Sequence, residues 1–127
     1  MRVDVYRNLN QKCFSIRSRE PATYGKVIAH AQTVAVRNVK FVVQPAGRDK
    51  VIKTGAKNVH AFVRGDLLID SPNGAWHSLP GLKYDVTYLP YEYPFFIAKA
   101  HDVWAEVNSA ELVLMTSGKN IVAKGVK

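Results

Sequence analysis

The sequence predicts an α+β fold: a mostly antiparallel β-sheet with one short helix near residues 45–54. Three observations carry this. Apolar residues alternate with polar ones in short runs along most of the chain. One segment alone has both helix start and stop signals. The 127 residues are 47% hydrophobic, enough for one core, with eight Gly and six Pro spread as turn formers. No internal repeat, low-complexity tract or linker interrupts the chain, so a single globular domain over residues 1–127 is expected.

The elements follow in order. Residues 2–6 alternate, with Val3 and Val5 on one face, and Asn8 to Gln11 offer a turn. Residues 13–19 alternate again, Phe14 and Ile16 against Ser15, Arg17 and Arg19, which predicts a hairpin with a basic outer face. Pro21 makes 20–24 a loop, and 26–30 is a short run. The Val-rich stretch 33–43 loses its alternation near Arg37-Asn38, the sign of a turn or a bulge. Residues 45–54 read as the helix: Pro45 suits the first helical position, Gly55 the C-terminal cap, and Val51 and Ile52 the apolar face. Residues 58–64 form a strand, Gly65-Asp66 a turn or bulge into 67–69, and 70–83 a polar loop holding Trp76 and His77. Strands are expected at 84–88, 103–107, 111–116 and 121–123; Pro90 and Pro94 argue against a central strand between 88 and 96.

Charge is the strongest functional signal. The formal net charge is +8, but residues 1–64 hold 13 Lys and Arg against three acids, while 65–127 hold five against seven. A one-sided basic field attracts polyanions, nucleic acid first, then an anionic membrane or an acidic protein. Cys13 is the sole cysteine and forms no internal disulfide, no apolar run near Met1 resembles a signal peptide, and no segment has a membrane helix's apolar length. A cytoplasmic protein is expected.

Three constellations are candidates for function. His60, Phe62 and Arg64 share one face of a strand, where a base would stack on Phe62 and Arg64 would hold a phosphate; the plainer alternative makes Phe62 core. Arg17 and Arg19, with Arg7, Lys12 and Lys26 near in sequence, would form a phosphate patch or a charged edge that blocks aggregation. Tyr84, Tyr88, Tyr91, Tyr93, Phe95 and Phe96 would be a protein-binding platform or core cover. The four histidines and Cys13 lack metal-ligand spacing, and no phosphate-cradling Gly loop, nucleophile elbow or HExxH pair occurs, so no metal and no cofactor is expected.

The stretches Val-Tyr-Arg-Asn-Leu-Asn (5–10), Gly-Lys-Val-Ile-Ala-His-Ala (25–31), Lys-Asn-Val-His-Ala-Phe-Val-Arg-Gly (57–65) and Tyr-Leu-Pro-Tyr-Glu-Tyr (88–93) resemble small proteins encoded by tailed bacteriophages. The resemblance covers about a quarter of the chain. It implies a phage origin, hence the host bacterial cytoplasm, and carries over no active site. Such proteins often act on the host, blocking defence systems such as CRISPR or redirecting transcription or RNA decay.

Three functions compete. The first is a non-enzymatic protein that binds nucleic acid or a nucleoprotein complex, with Arg7, Arg17, Arg19, Arg48, Lys50, Lys53 and Arg64 on phosphates and Phe62 stacking. The second is a protein–protein inhibitor of a host or defence factor, anchored by Tyr88, Tyr91, Tyr93 and Phe95. The third is a metal-independent ribonuclease with His60 as base, His30 or His101 as acid, and Arg64 stabilising the phosphorane. The open edges of a small sheet leave the oligomeric state undecided.

Overall fold

Short alternating runs bury their apolar face only when strands pair side by side and something covers the resulting sheet. A computed structural model describes residues 1–68, 76–77 and 79–127. The elements are β1 (Arg2–Asn8), β2 (Cys13–Ser18), a 3-10 turn (Pro21–Thr23), β3 (Val27–Ala31), β4 (Val34–Val43), α1 (Pro45–Thr54), β5 (Ala61–Leu68), β6 (Tyr84–Tyr88), β7 (Phe96–Ala100), β8 (Val103–Val107), β9 (Ser109–Thr116) and β10 (Asn120–Val126). The strands form one antiparallel sheet in the order β3-β2-β1-β5-β4-β9-β10-β6-β7-β8. The sheet dominates, and α1 is its one companion of more than a turn among the described residues.

The sheet covers itself. One core cluster joins Val3, Val5, Phe14 and Ile16 from one end of the strand order to Val86, Phe96, Ala98 and Val107 from the other. These residues meet only if the ten strands curl, so one face is concave and inner, the other convex and outer. The outer face carries a second, smaller cluster, where Trp76 packs on Ala35, Leu112 and Leu114. Lys124 fastens it: its Nζ donates to the Trp76 carbonyl at 2.8 Å and the Leu79 carbonyl at 3.1 Å, and lies 4.5 Å from the Trp76 ring centre. Trp76 is therefore buried rather than part of a polar loop; residues 69–75 and 78 of that expected loop lie outside the described residues.

The helix matches its expected span, with Pro45 in its first turn and Gly55 left-handed at φ 69°, its N–H donating to the Val51 carbonyl at 2.8 Å. Its apolar face is narrower than expected: Val51 is buried, but Ile52 is 40% exposed. Two other expectations need correction. β7 over 96–100 was not read as a strand, because aromatic and proline signals masked it; Pro90 and Pro94 lie in the β6–β7 connection and leave β7 intact. β5 also runs straight through Gly65-Asp66. The bulge lies opposite, in β4, where the register shifts between Arg37 and Lys40 and Asn38 takes a φ of 54°.

Gly65 is what lets the bulge close up. A Cβ there would stand 2.6 Å from the Arg37 carbonyl oxygen and 2.7 Å from Val36 Cγ1. Gly65→Ala is expected to lose about 1–3 kcal/mol of stability by overpacking, read as a lowered urea midpoint with an unchanged m-value.

Candidate nucleic-acid interface

Strand register gathers cations that are far apart in sequence. On the outer face, cross-strand pairing sets Arg17, Asp4, Arg64 and Lys40 in a row over β2, β1, β5 and β4. At the strand spacing of about 4.8 Å, the row spans roughly 14 Å. Arg2, Asp66 and Arg37 form a parallel row beside it. Arg19, just past β2, donates its N–H to the Arg2 carbonyl at 2.9 Å and brings its Nε to 3.9 Å from Asp4 Oδ2. The Arg2 N–H donates to Glu20 Oε1 at 3.0 Å. This face thus sets six cations (Arg2, Arg17, Arg19, Arg37, Lys40, Arg64) against three carboxylates (Asp4, Glu20, Asp66).

Asp4 is the hub. It is 6% exposed and receives Arg64 as a two-pronged fork, Nε to Oδ1 at 2.8 Å and Nη2 to Oδ2 at 3.2 Å. That hydrogen bonding holds the Arg64 guanidinium above its ordinary pKa, against the opposing pull of burial; the Asp4 charge adds to the rise, with a smaller part from the ionised Tyr24 phenolate. Arg17 is held differently. Its guanidinium carbon lies 5.2 Å from the ring centres of both Tyr6 and Phe62, which meet edge to face at 6.0 Å. Among the described residues, the buried Nε atoms of Arg17 and Arg19 have no hydrogen-bond acceptor. Buried donors left without an acceptor are costly to stability.

The residues singled out from sequence separate into groups. Arg17, Arg19, Phe62 and Arg64 converge on this face. Phe62, however, is 2% exposed and lies under Arg17, so its ring supports a guanidinium and is closed to a stacking base. An exposed ring in the β2–β3 connection is Tyr24, 67% accessible. Arg7 faces inward, lining a cavity. Arg48, Lys50 and Lys53 ride on α1, away from this row, and Arg48 Nε donates to the Pro90 carbonyl at 2.9 Å. Lys40, Arg2 and Arg37 were missed; the signal that finds them is cross-strand register, which runs through the β4 bulge.

His60 does not share the outer face with Phe62 and Arg64. The chain turns before β5, and His60 packs against α1 at Gly47, where a Cβ would stand 2.6 Å from His60 Cβ. Its Nδ1 donates to the Asn58 carbonyl at 2.9 Å, so Nε2 accepts the Tyr88 hydroxyl proton at 2.7 Å. Burial pushes the Tyr88 phenol above its ordinary pKa, with Arg48 pulling the other way, which keeps it a donor. Both His60 nitrogens are occupied. His30 is on the outer face at β3, bonded to Ser15 Oγ at 2.9 Å, and His101 is in the β7–β8 turn. The expected ribonuclease set of His60, Arg64 and His30 or His101 is therefore not brought to one place.

The aromatic segment also divides. Tyr88 stacks on Phe96 at 5.1 Å and faces the core, and Tyr91 stands at the cavity. Tyr93 stacks on Phe95 at 5.4 Å and reaches Trp104 at 5.7 Å, beside edge strand β8.

The hub has a direct test. Asp4→Asn leaves the guanidiniums around it without their counter-charge and is expected to cost about 2–3 kcal/mol at low salt. The loss should shrink in added salt, which screens the remaining repulsion. Urea unfolding at two ionic strengths reads both effects.

The family model described as "Mycobacterium phage L5 gene 82 protein" matches residues 1–123 of the chain. The Gene 82 protein of Mycobacterium phage L5 is 35% identical over 103 residues, covering 76% of this chain and 77% of that protein. No solved structure matches. A match across nearly all of the strands places the phage-like phrases of the sequence in one family: the chain belongs to the phage L5 gene 82 protein family.

Proposed function

We propose that this phage protein is an accessory factor that binds nucleic acid, or a nucleoprotein complex, through the outer face of β2, β1, β5 and β4, and that it works in the host cytoplasm, where countering a defence system such as CRISPR is one role open to it. The observation that supports this is the cross-strand row of Arg17, Arg64 and Lys40, interrupted by the single carboxylate of Asp4. Guanidiniums bind phosphate oxygens with two-pronged geometry, and a row on a rigid sheet follows a backbone rather than reading base edges. Tyr24 would supply the stacking surface that Phe62 does not.

Binding through phosphates is salt-dependent and tolerant of sequence. For single strands the logarithm of affinity should fall with the logarithm of salt at about −0.7 per phosphate engaged. Arg17→Glu with Arg19→Glu is expected to weaken binding to labelled RNA and DNA pools alike and to flatten that slope. Arg37→Glu with Lys40→Glu, both residues exposed, should do the same without disturbing the packing of Arg17 on Phe62. Wild-type affinity in both double variants sinks the proposal.

One observation favours a protein partner instead. Edge strand β8 exposes Val103 at 71% and Trp104 at 51%, next to the stacked Tyr93 and Phe95. A partner adding a strand there would bury an aromatic anchor and satisfy free backbone groups. Capture of a partner from nuclease-treated, infected-cell lysate, lost in Trp104→Ser and kept in the arginine variants, would favour this second reading.

A further inference from the structure

The strand order leaves two backbone edges free, β3 at one end and β8 at the other. Each runs five residues, Val27–Ala31 and Val103–Val107, about 17 Å of ladder. The two do not pair with each other within the chain, although Phe14 beside β3 and Val107 on β8 share the main core cluster. The N–H and C=O groups on their open sides are a template for a further strand.

Both edges expose apolar side chains. On β3, Val27 is 43% exposed and Ile28 40%; on β8, Val103 is 71% exposed and Trp104 51%. Scattered surface hydrophobics are ordinary, but these stand in adjacent pairs on unpaired strands. Ile28 is the extra residue of a bulge, since β2 pairs with Ala29 and Val27 and passes it by. A bulge deters indiscriminate pairing, so a strand that docks on β3 must match it in side chains as well as in backbone. On β8, Tyr93 lies 5.7 Å from the Trp104 ring and backs it.

Charge selects the match. Residues 26–31 hold Lys26 and His30 and no acid, while residues 102–107 hold Asp102 and Glu106 and no Lys or Arg. All four side chains are exposed. His30 serves as a donor: Asn8 Nδ2 donates to Ser15 Oγ at 3.2 Å, and the buried Ser15 hydroxyl donates to His30 Nδ1 at 2.9 Å, which leaves the ring proton on Nε2. An antiparallel register that sets Ile28 beside Trp104 brings Lys26 to Glu106 and His30 to Asp102. Pairing each edge with its own kind does the reverse. β8 on β8 about Trp104 sets Asp102 against Glu106, and β3 on β3 about Ile28 sets Lys26 against His30. Opposite charges directly across a strand pair stabilise it, and like charges oppose it.

We propose that copies of this chain join head to tail, the β3 edge of one pairing with the β8 edge of the next through Ile28 on Trp104, Lys26 on Glu106 and His30 on Asp102. A contact between unlike surfaces leaves one edge of each kind free after every addition, so the assembly grows until it closes as a ring or runs on as a filament. Five residues a side bury little area, so growth is reversible and follows concentration. This proposal fills the β8 edge with a second copy rather than a host protein, and it does not rest on the arginine face.

Sedimentation velocity of purified, nuclease-treated protein at rising concentration tests it. The weight-average sedimentation coefficient is expected to climb past the dimer value. Lys26→Glu and Glu106→Lys should each raise the association midpoint about tenfold, because an attractive pair becomes a repulsive one. Combined in one chain, the two changes restore opposite charges and should return the midpoint to within about threefold of wild type. Trp104→Ser should weaken association at least as much as either single charge change. The charged positions are exposed, so these variants keep the fold, which their melting curves verify. A protein that stays monomeric at every concentration overturns the proposal, and is the result expected if the β8 edge serves a host protein alone. Growth that stops at a dimer overturns it too, as does a Lys26→Glu chain that assembles like wild type, or a double variant no better than the singles.

Discussion

The rest of the molecule depends on one constraint: ten strands must bury one face of a wide sheet to whose main core cluster the ten-residue helix adds no side chain among the described residues. A flat sheet of that width would leave most of its inner side chains wet. Twist resolves this, because each strand rotates on its neighbour and the sheet coils until distant strands touch. Val3 and Val5 on β1 and Phe96 and Ala98 on β7 then share one cluster. The curl does the work that a second layer of helices or strands does in other folds, and it explains why hydrophobic content that is ordinary for the length suffices here.

The curl also divides the surfaces. Inside, the side chains converge and close on one another, leaving Val5, Val63 and Met115 at most 2% exposed. Outside, they diverge, and the two halves of the convex face receive different treatment. Over β4, β9 and β10, Trp76 covers the strands and Lys124 ties it down. Over β2, β1, β5 and β4, no comparable apolar cluster forms among the described residues, and the strands carry arginines organised by Asp4. A buried carboxylate facing several guanidiniums is a weak source of net stability, since desolvation opposes the Coulomb gain. What it does supply is position. Arg64 is held in a two-pronged fork, Arg17 rests on two aromatic rings, and both present charge from a rigid sheet.

The two kinds of edge follow from the same topology. β3 and β8 end the strand order, so their outer backbone groups meet no strand of this chain. β8 pairs this open edge with exposed Val103 and Trp104, the combination that sheet proteins usually avoid or use. Nearby Tyr93 and Phe95 extend the apolar surface, so the edge and the aromatic segment behave as one region although a turn separates them in sequence.

Local pattern alone determined much of this. The β1–β2 hairpin, the span and C-terminal cap of α1, the β4 irregularity at Arg37-Asn38 and the basic first half were all readable, because each depends on residues within a few positions of one another. The arginine row was half readable: Arg17 lies on β2 with Arg19 just past its end, and Arg64 stands in an alternating run. That Arg64 meets Asp4, sixty residues earlier, needed the β1–β5 register. Tertiary structure alone decided the rest. It sent His60 to Tyr88 and α1, closed Phe62 beneath Arg17, hid the strand character of 96–100 behind an aromatic run, and opened the cavity between segments that are remote along the chain. Period-two alternation says which residues share a face, but not whether that face ends up inside the curl or outside it, nor which strand lies alongside. Those outcomes are fixed by long-range pairing and by the sum of twist over ten strands, and no local stretch of sequence contains either.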